Sequence, residues 1–378
     1  RKETNMEKHI NIIALNIPFP ANYGGVIDIY YKLYALSRCG FKIHLHCFEY
    51  GRQHAVELNN LCEEVIYYKR EKGLSSHFSL LPYNVYSRRD KQLLQNLCSN
   101  SYPILFEGLH SCYLISHPDL KDRMKIFREC NIEHAYYLHL GKAESNPVTK
   151  AFFYLEALKF QMYEPVLRHA DLMIAVSGTD TAYLRKRFPA NRVEFIPCFH
   201  KNEQIDILPG QSDYILYHGN LSVPENERAA LYLIENVFCR LPFRCVVAGL
   251  NPTNRLKQAA AKYNNVCLEI NPAEDRMEEL VKNAQVHVLV TFQETGLKLK
   301  LLNTLFAGRH VIANKKMLAG SGLDNLCCIA NTADDLVLAC NQYMAMPFHV
   351  ASIEERREML IPQFSNLEQA RRLAEMMG

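Results

Sequence analysis

Short apolar runs, each followed by a turn and then a helix-periodic stretch, recur in two series along this 378-residue chain, and few folds accommodate that alternation. Residues 10–15 are apolar, and a turn-rich stretch through Pro18, Pro20, Gly24 and Gly25 follows. Val26, Ile29, Tyr30, Leu33 and Ser37 then recur at helical spacing, with Gly40 where a helix ends. Residues 41–47 alternate apolar and polar with period two, as a strand does. Strand, loop, helix, strand is a βαβ unit, which requires a parallel sheet and a right-handed crossover. Further strands are expected over 64–68, 104–107, 172–176 and 193–197. Ser177 is placed to cap the helix after the third of these. A polar stretch over 200–212 reads as a linker. The pattern then restarts, with strands expected over 214–217, 244–248, 266–270, 286–291 and 310–313 and helices between them. The expected class is α/β, with two Rossmann-like domains over 1–205 and 213–352. A helix over 353–378 is expected to return to the first domain.

The length is more than one core usually serves. Hydrophobic residues make up 48% and charged residues 22%, a globular balance, and 21 Tyr and 18 Phe supply aromatic volume in the absence of Trp. A net charge of +3 is too small to argue for nucleic acid. No apolar run reaches the length of a membrane span, and a signal peptide is not expected. The 13 cysteines are scattered without a CxxC pair, so the reading is reduced thiols in a cytoplasmic protein, with neither disulfides nor a metal.

Several segments resemble the GT-B glycosyltransferases, closest to their retaining family 4. They are 18–25 with the helix after it, 128–133, Tyr163-Glu164 leading into 170–177, and 296–308. The resemblance spans nearly the whole chain. It implies a nucleotide-sugar donor held between the domains, a glycan or lipid-linked acceptor, and a role in surface polysaccharide or glycoconjugate assembly. It also implies hexosyl transfer with retained configuration, and no cofactor or metal. The chain departs from the pattern where the family has two glutamates eight positions apart, here Thr295 and Asn303. The family's diphosphate-clamping Arg and Lys are replaced by Asn220 and, approximately, Asn226.

The donor-side candidates are therefore Gly24, Gly25, Asn220, Thr295, Gly296, Lys298, Lys300 and Asn303. Two glycines before a helix commonly just make a turn, but they also bare N–H groups where a phosphate binds. Lys298 and Lys300 are expected in the first turn of a helix, where cations are disfavoured unless an anion is present. Helical spacing sets Gly296, Lys300 and Asn303 on one stripe, which makes Lys300 the better phosphate ligand and Asn303 a ribose partner. His110, Glu107 and Glu133 are the catalytic candidates, near the carboxyl ends of first-domain strands. Lys69, Arg70, Lys72, Arg88, Arg89 and Lys91 form a basic run, ordinarily a solvated loop and otherwise a peripheral contact with anionic lipid. A catalytically silent sugar-nucleotide-binding protein and a GT-B epimerase are the alternatives. A phosphorylase or a Rossmann oxidoreductase is disfavoured, since no GxGxxG is present.

Overall fold

The structure is a computed structural model that describes residues 7–71, 73, 79–144, 146–293 and 299–377. Seven strands build the first sheet: β1 (Lys8–Ala14), β2 (Phe41–Glu49), β3 (Glu64–Lys69), β4 (Ile104–Glu107), β5 (Lys125–Arg128), β6 (Leu172–Ala175) and β7 (Arg192–Phe195). Their order is β3-β2-β1-β4-β5-β6-β7, and every pair is parallel. The helices used below are α1 (Gly24–Arg38), α2 (Lys91–Cys98), α3 (Glu133–Ala143), α4 (Pro147–Tyr163) and α5 (Gly178–Arg187). Ser177 caps α5 through Asp180 N at 3.0 Å, and Gly40 takes a φ of 83° just past α1.

The second sheet holds β8 (Tyr214–Asn220), β9 (Arg244–Leu250), β10 (Val266–Ile270), β11 (Val286–Leu289), β12 (His310–Ala313) and β13 (Cys328–Ile329). Its order, β10-β9-β8-β11-β12-β13, is again all parallel. Here α6 (Pro224–Asn236), α7 (Asn254–Ala260), α8 (Glu274–Asn283), α9 (Leu299–Ala307) and α10 (Ala333–Met344) flank the strands. Each sheet reverses its strand order once, between β1 and β4 and between β8 and β11. An open α/β sheet splits its loops apart at such a point and leaves a crevice.

The closing segment is two helices, α11 (Val350–Phe364) and α12 (Asn366–Met376), not the single one expected. The chain bends at Ser365, whose hydroxyl caps the second helix through Glu368 N. Ala370 and Leu373 of α12 are buried in the same apolar cluster as Ile29, Leu33 and Leu36 of α1. Leu360 and Phe364 of α11 join the cluster around Leu301 and Leu305 of α9. The two helices thus bury apolar faces against different sheets and tie the domains together.

Candidate active site

A cavity of about 440 Å³ opens where both reversal points meet. Leu15 follows β1, His110 follows β4, Glu225 and Asn226 follow β8, and Val290 and Thr291 follow β11, so all four switch-point loops line it. The expected Gly24, Gly25, His110, Glu133 and Lys300 are brought together here.

Gly24 and Gly25 are the first two residues of α1 itself. Tyr23 at the N-cap makes no side-chain cap, and the first turn holds no acid. The leading N–H groups therefore face the cavity uncapped, at the positive end of the helix dipole.

Lys300, expected as a phosphate ligand, is turned inward in the first turn of α9. Its Nζ donates to Asn226 Oδ1 at 2.9 Å and Tyr217 OH at 3.3 Å, and sits 4.6 Å from the Tyr217 ring centre. Burial pushes the ammonium down to about 7, against the pull of Glu225. Glu225 is itself occupied by Thr291 Oγ1 at 3.0 Å and Phe292 N at 2.6 Å. Gly219 makes the room: a Cβ there would lie 2.8 Å from the Lys300 Nζ. Asn226 in turn is held by its Nδ2 donating to Asn220 O at 3.0 Å. The Asn220 side chain accepts from Ser222 N and Oγ and closes the turn, and among the described residues Asn220 meets the cavity wall through Asn226.

On the opposite wall, His110 Nε2 lies 3.4 Å from Glu133 Oε2. Burial, with Arg88 and Arg70 adding to it, pushes His110 down to about 3. Burial also raises Glu133 to about 8, with Arg88 opposing. At neutral pH the imidazole is neutral and the carboxyl keeps its proton, so the pair presents one acidic proton and no net charge. Glu133 Oε1 and His110 Nδ1 are buried without a hydrogen-bond partner among the described residues, leaving both free to meet a ligand.

Three expectations need correction. Glu107 does not line the cavity; it is fully buried and its Oε1 is 2.6 Å from Lys32 Nζ. Lys32 also contacts Asp28 at 2.9 Å, and Arg128 binds Asp28 through Nε and an NH2 group at 3.1 and 2.8 Å. Asp28, Glu107, Lys32 and Arg128 thus form one buried, hydrogen-bonded network. Asp28 is held well below the usual carboxylate range, since Arg128 and Lys32 overcome its burial, while burial raises Glu107. Asn303 follows Lys300 by one turn of α9 but opens into a separate cavity of about 220 Å³, with Lys201, His218 and Met277. There its Oδ1 accepts from Asn202 Nδ2 at 2.7 Å. The third correction concerns the basic run. Arg70 and Arg88 are 7% and 4% exposed and Arg89 pairs with Glu71 at 2.6 Å, while Lys69 and Lys91 stay exposed, so the run is only partly solvated. Thr295, Gly296, Lys298 and Lys72 lie outside the described residues. Among the described residues no cluster of His, Cys, Asp and Glu is arranged to hold a metal ion, and no helix is long and apolar enough to cross a membrane.

The buried network of Asp28, Lys32, Glu107 and Arg128 went unread in the sequence, as did the burial of Arg70 and Arg88. Asp28 and Lys32 lie one helical turn apart on α1, but Glu107 and Arg128 come from β4 and β5, and only the sheet order brings them to that helix.

Residues 212–345 match the family model described as "Glycosyl transferases group 1". The chain is 23% identical over 359 residues to an uncharacterized 44.6 kDa protein in the cps region of Klebsiella pneumoniae, covering 89% of this chain and 88% of that one. A glycosyltransferase from Rickettsia africae superposes with a TM-score of 0.66 at 13% identity, covering 98% of each chain. Medicago truncatula UGT71G1, solved with UDP-glucose, gives 0.57 at 11% identity over the full length of both. Residues 212–345 thus form a group 1 glycosyl transferase domain, in a chain that has the GT-B fold throughout.

Proposed function

We propose that this protein transfers a sugar, a hexose by the family resemblance, from a nucleotide-sugar donor to a glycan or lipid-linked acceptor in surface polysaccharide assembly. One observation carries the reading. A single cavity joins the uncapped N-terminus of α1 and Lys300, suited to a diphosphate, to the His110–Glu133 pair, suited to sugar hydroxyls. The UDP-glucose bound by the Medicago relative and the cps-region location of the Klebsiella relative support the donor class and the setting. Lys300 and the α1 amides supply charge to a leaving diphosphate, so transfer proceeds without a divalent metal. A protonated Glu133 and a neutral, buried His110 make a poor base for an attacking hydroxyl. Retention of configuration, with the leaving phosphate taking the acceptor proton, fits that better than inversion.

The protein works in the cytoplasm, and α4 meets the membrane instead of the basic run. Val148, Leu155, Leu158 and Met162 recur at helical spacing on α4 and are 78%, 49%, 52% and 62% exposed. The only acid on that helix, Glu156, is buried.

Turnover of a panel of nucleotide sugars, followed by release of the nucleoside diphosphate, tests the reading. Release that survives chelator and yields a product with the donor's anomeric configuration by NMR is expected. Tight binding with no release for any donor would leave the silent sugar-nucleotide-binding protein as the better account.

A further inference from the structure

The first domain holds a second and larger cavity, of about 700 Å³, which the transfer site does not use. Asn16, Asn22, Tyr23, Tyr50, Arg52 and His54 line it. Tyr23 also lines the active-site cavity, so the two spaces share a wall. A hollow of about 470 Å³ continues from it past Arg52 to Lys69 and Arg70.

The charge around these spaces is unbalanced. Arg52 donates to Phe19 O, Pro20 O and Asn22 Oδ1. Arg70 donates to Ser87 Oγ and Asn84 Oδ1, with its guanidinium 4.3 Å from the Tyr50 ring centre. Arg88 donates to Leu15 O and Asn84 O. None of the three pairs with a carboxylate among the described residues. The nearby acids offer little relief: Glu49 is bound to His54 at 2.7 Å, Glu71 to Arg89, and Glu57 is solvated at the rim. Buried arginines ordinarily have an acidic partner, because neutral acceptors satisfy the N–H groups but leave the charge uncompensated. Burial lowers both Arg70 and Arg88, the latter to about 9, as expected of cations awaiting an anion. Planar guanidinium groups match carboxylate and phosphate oxygens two at a time.

We infer that the cavity bounded by Tyr23, Tyr50 and Arg52 is an acceptor subsite for an anionic group, a phosphate, diphosphate or carboxylate borne by the acceptor beside the sugar to be extended. The inference rests on reading the neighbouring cavity as the transfer site. Arg52 and Lys69 are the accessible contacts, while Arg70 and Arg88 set the positive potential behind them.

Calorimetry with glucose, glucose 1-phosphate, glucuronate and inorganic pyrophosphate, on the parent, Lys69→Gln, Arg52→Gln/Lys69→Gln and Lys300→Ala proteins, tests it. The anionic probes are expected to bind the parent at least about tenfold more tightly than glucose, as charge-assisted bonds imply. The double variant should lose most of that preference at an unchanged melting temperature, and Lys69→Gln, on an exposed side chain, should lose part of it. Lys300→Ala should retain it for glucuronate and glucose 1-phosphate. Preference for glucuronate marks an acidic sugar, and preference for pyrophosphate or glucose 1-phosphate a phosphate-bearing acceptor. Equal binding of glucose and the anions, or loss of anion binding in Lys300→Ala alone, overturns the subsite. Nucleoside diphosphate binding to the same variants separates the two claims. Its absence from the parent defeats the transfer reading and leaves the anion result to be read by itself.

Discussion

Lys300 contributes both charge and a titration. Its ammonium is held near 7 by burial, so an anion arriving in the cleft raises its affinity for a proton. Nucleoside diphosphate binding should therefore take up a proton at and above neutrality. Affinity should be highest below pH 7 and fall as pH rises from about 7 towards the higher value of the bound state. Calorimetry in buffers of different ionisation enthalpy reads that uptake directly. Lys300→Ala should weaken nucleoside diphosphate binding roughly ten- to a hundredfold and abolish the proton uptake. Unchanged affinity would mean that the diphosphate lies elsewhere. The lysine itself was readable from sequence as a cation in a helix's first turn. Its inward turn was not, because that depends on Tyr217, Asn226 and the missing Cβ of Gly219, all more than 70 positions away.

Among the elements, β8 and β9 approach each other closely at Gly249. A Cβ on Gly249 would collide with the Gly219 carbonyl, a backbone atom that has no room to withdraw. Gly249→Ala should cost about 1–3 kcal/mol of stability, the ordinary range for overpacking, seen as a lower thermal midpoint. Because Gly219 borders Lys300, the same substitution should also weaken nucleoside diphosphate binding. On the first domain, α4 presents its apolar stripe. Leu158→Glu should leave the fold intact and reduce sedimentation with anionic phospholipid vesicles. The parent and the variant sedimenting alike would remove α4 from any membrane role.

Across the whole molecule, burial holds many ionisable groups in their neutral form. His46, His110 and His218 are pushed down to about 3, His200 to about 4, and His287 lower still, burial being the first cause in each. Below pH 6.5 the unfolded chain protonates these five imidazoles and the folded chain does not, so stability falls with pH. The three carboxyls raised by burial, Glu107, Glu129 and Glu133, work the other way but are fewer. The melting temperature should therefore drop between pH 7 and pH 5. A flat profile would mean that some of these imidazoles gain a proton in the fold.

The sequence by itself determined the class of fold, since period-two runs alternating with helix-periodic ones admit only parallel sheets with helical crossovers. It also marked the residues that begin helices beside the cleft, because caps, glycines and first-turn charges act within a few positions. Which of these face one another was decided by the tertiary structure. The order of strands carries Glu107 down to Lys32 and away from the cleft, and the packing around α9 opens Asn303 into a different cavity from Lys300. Arg70 and Arg88 pass from an apparent solvated run into the wall beside the active site. Burial is the physical reason in each case. It is set by what the rest of the chain stacks over a side chain, and it determines both the charge that group carries and the partner it must find.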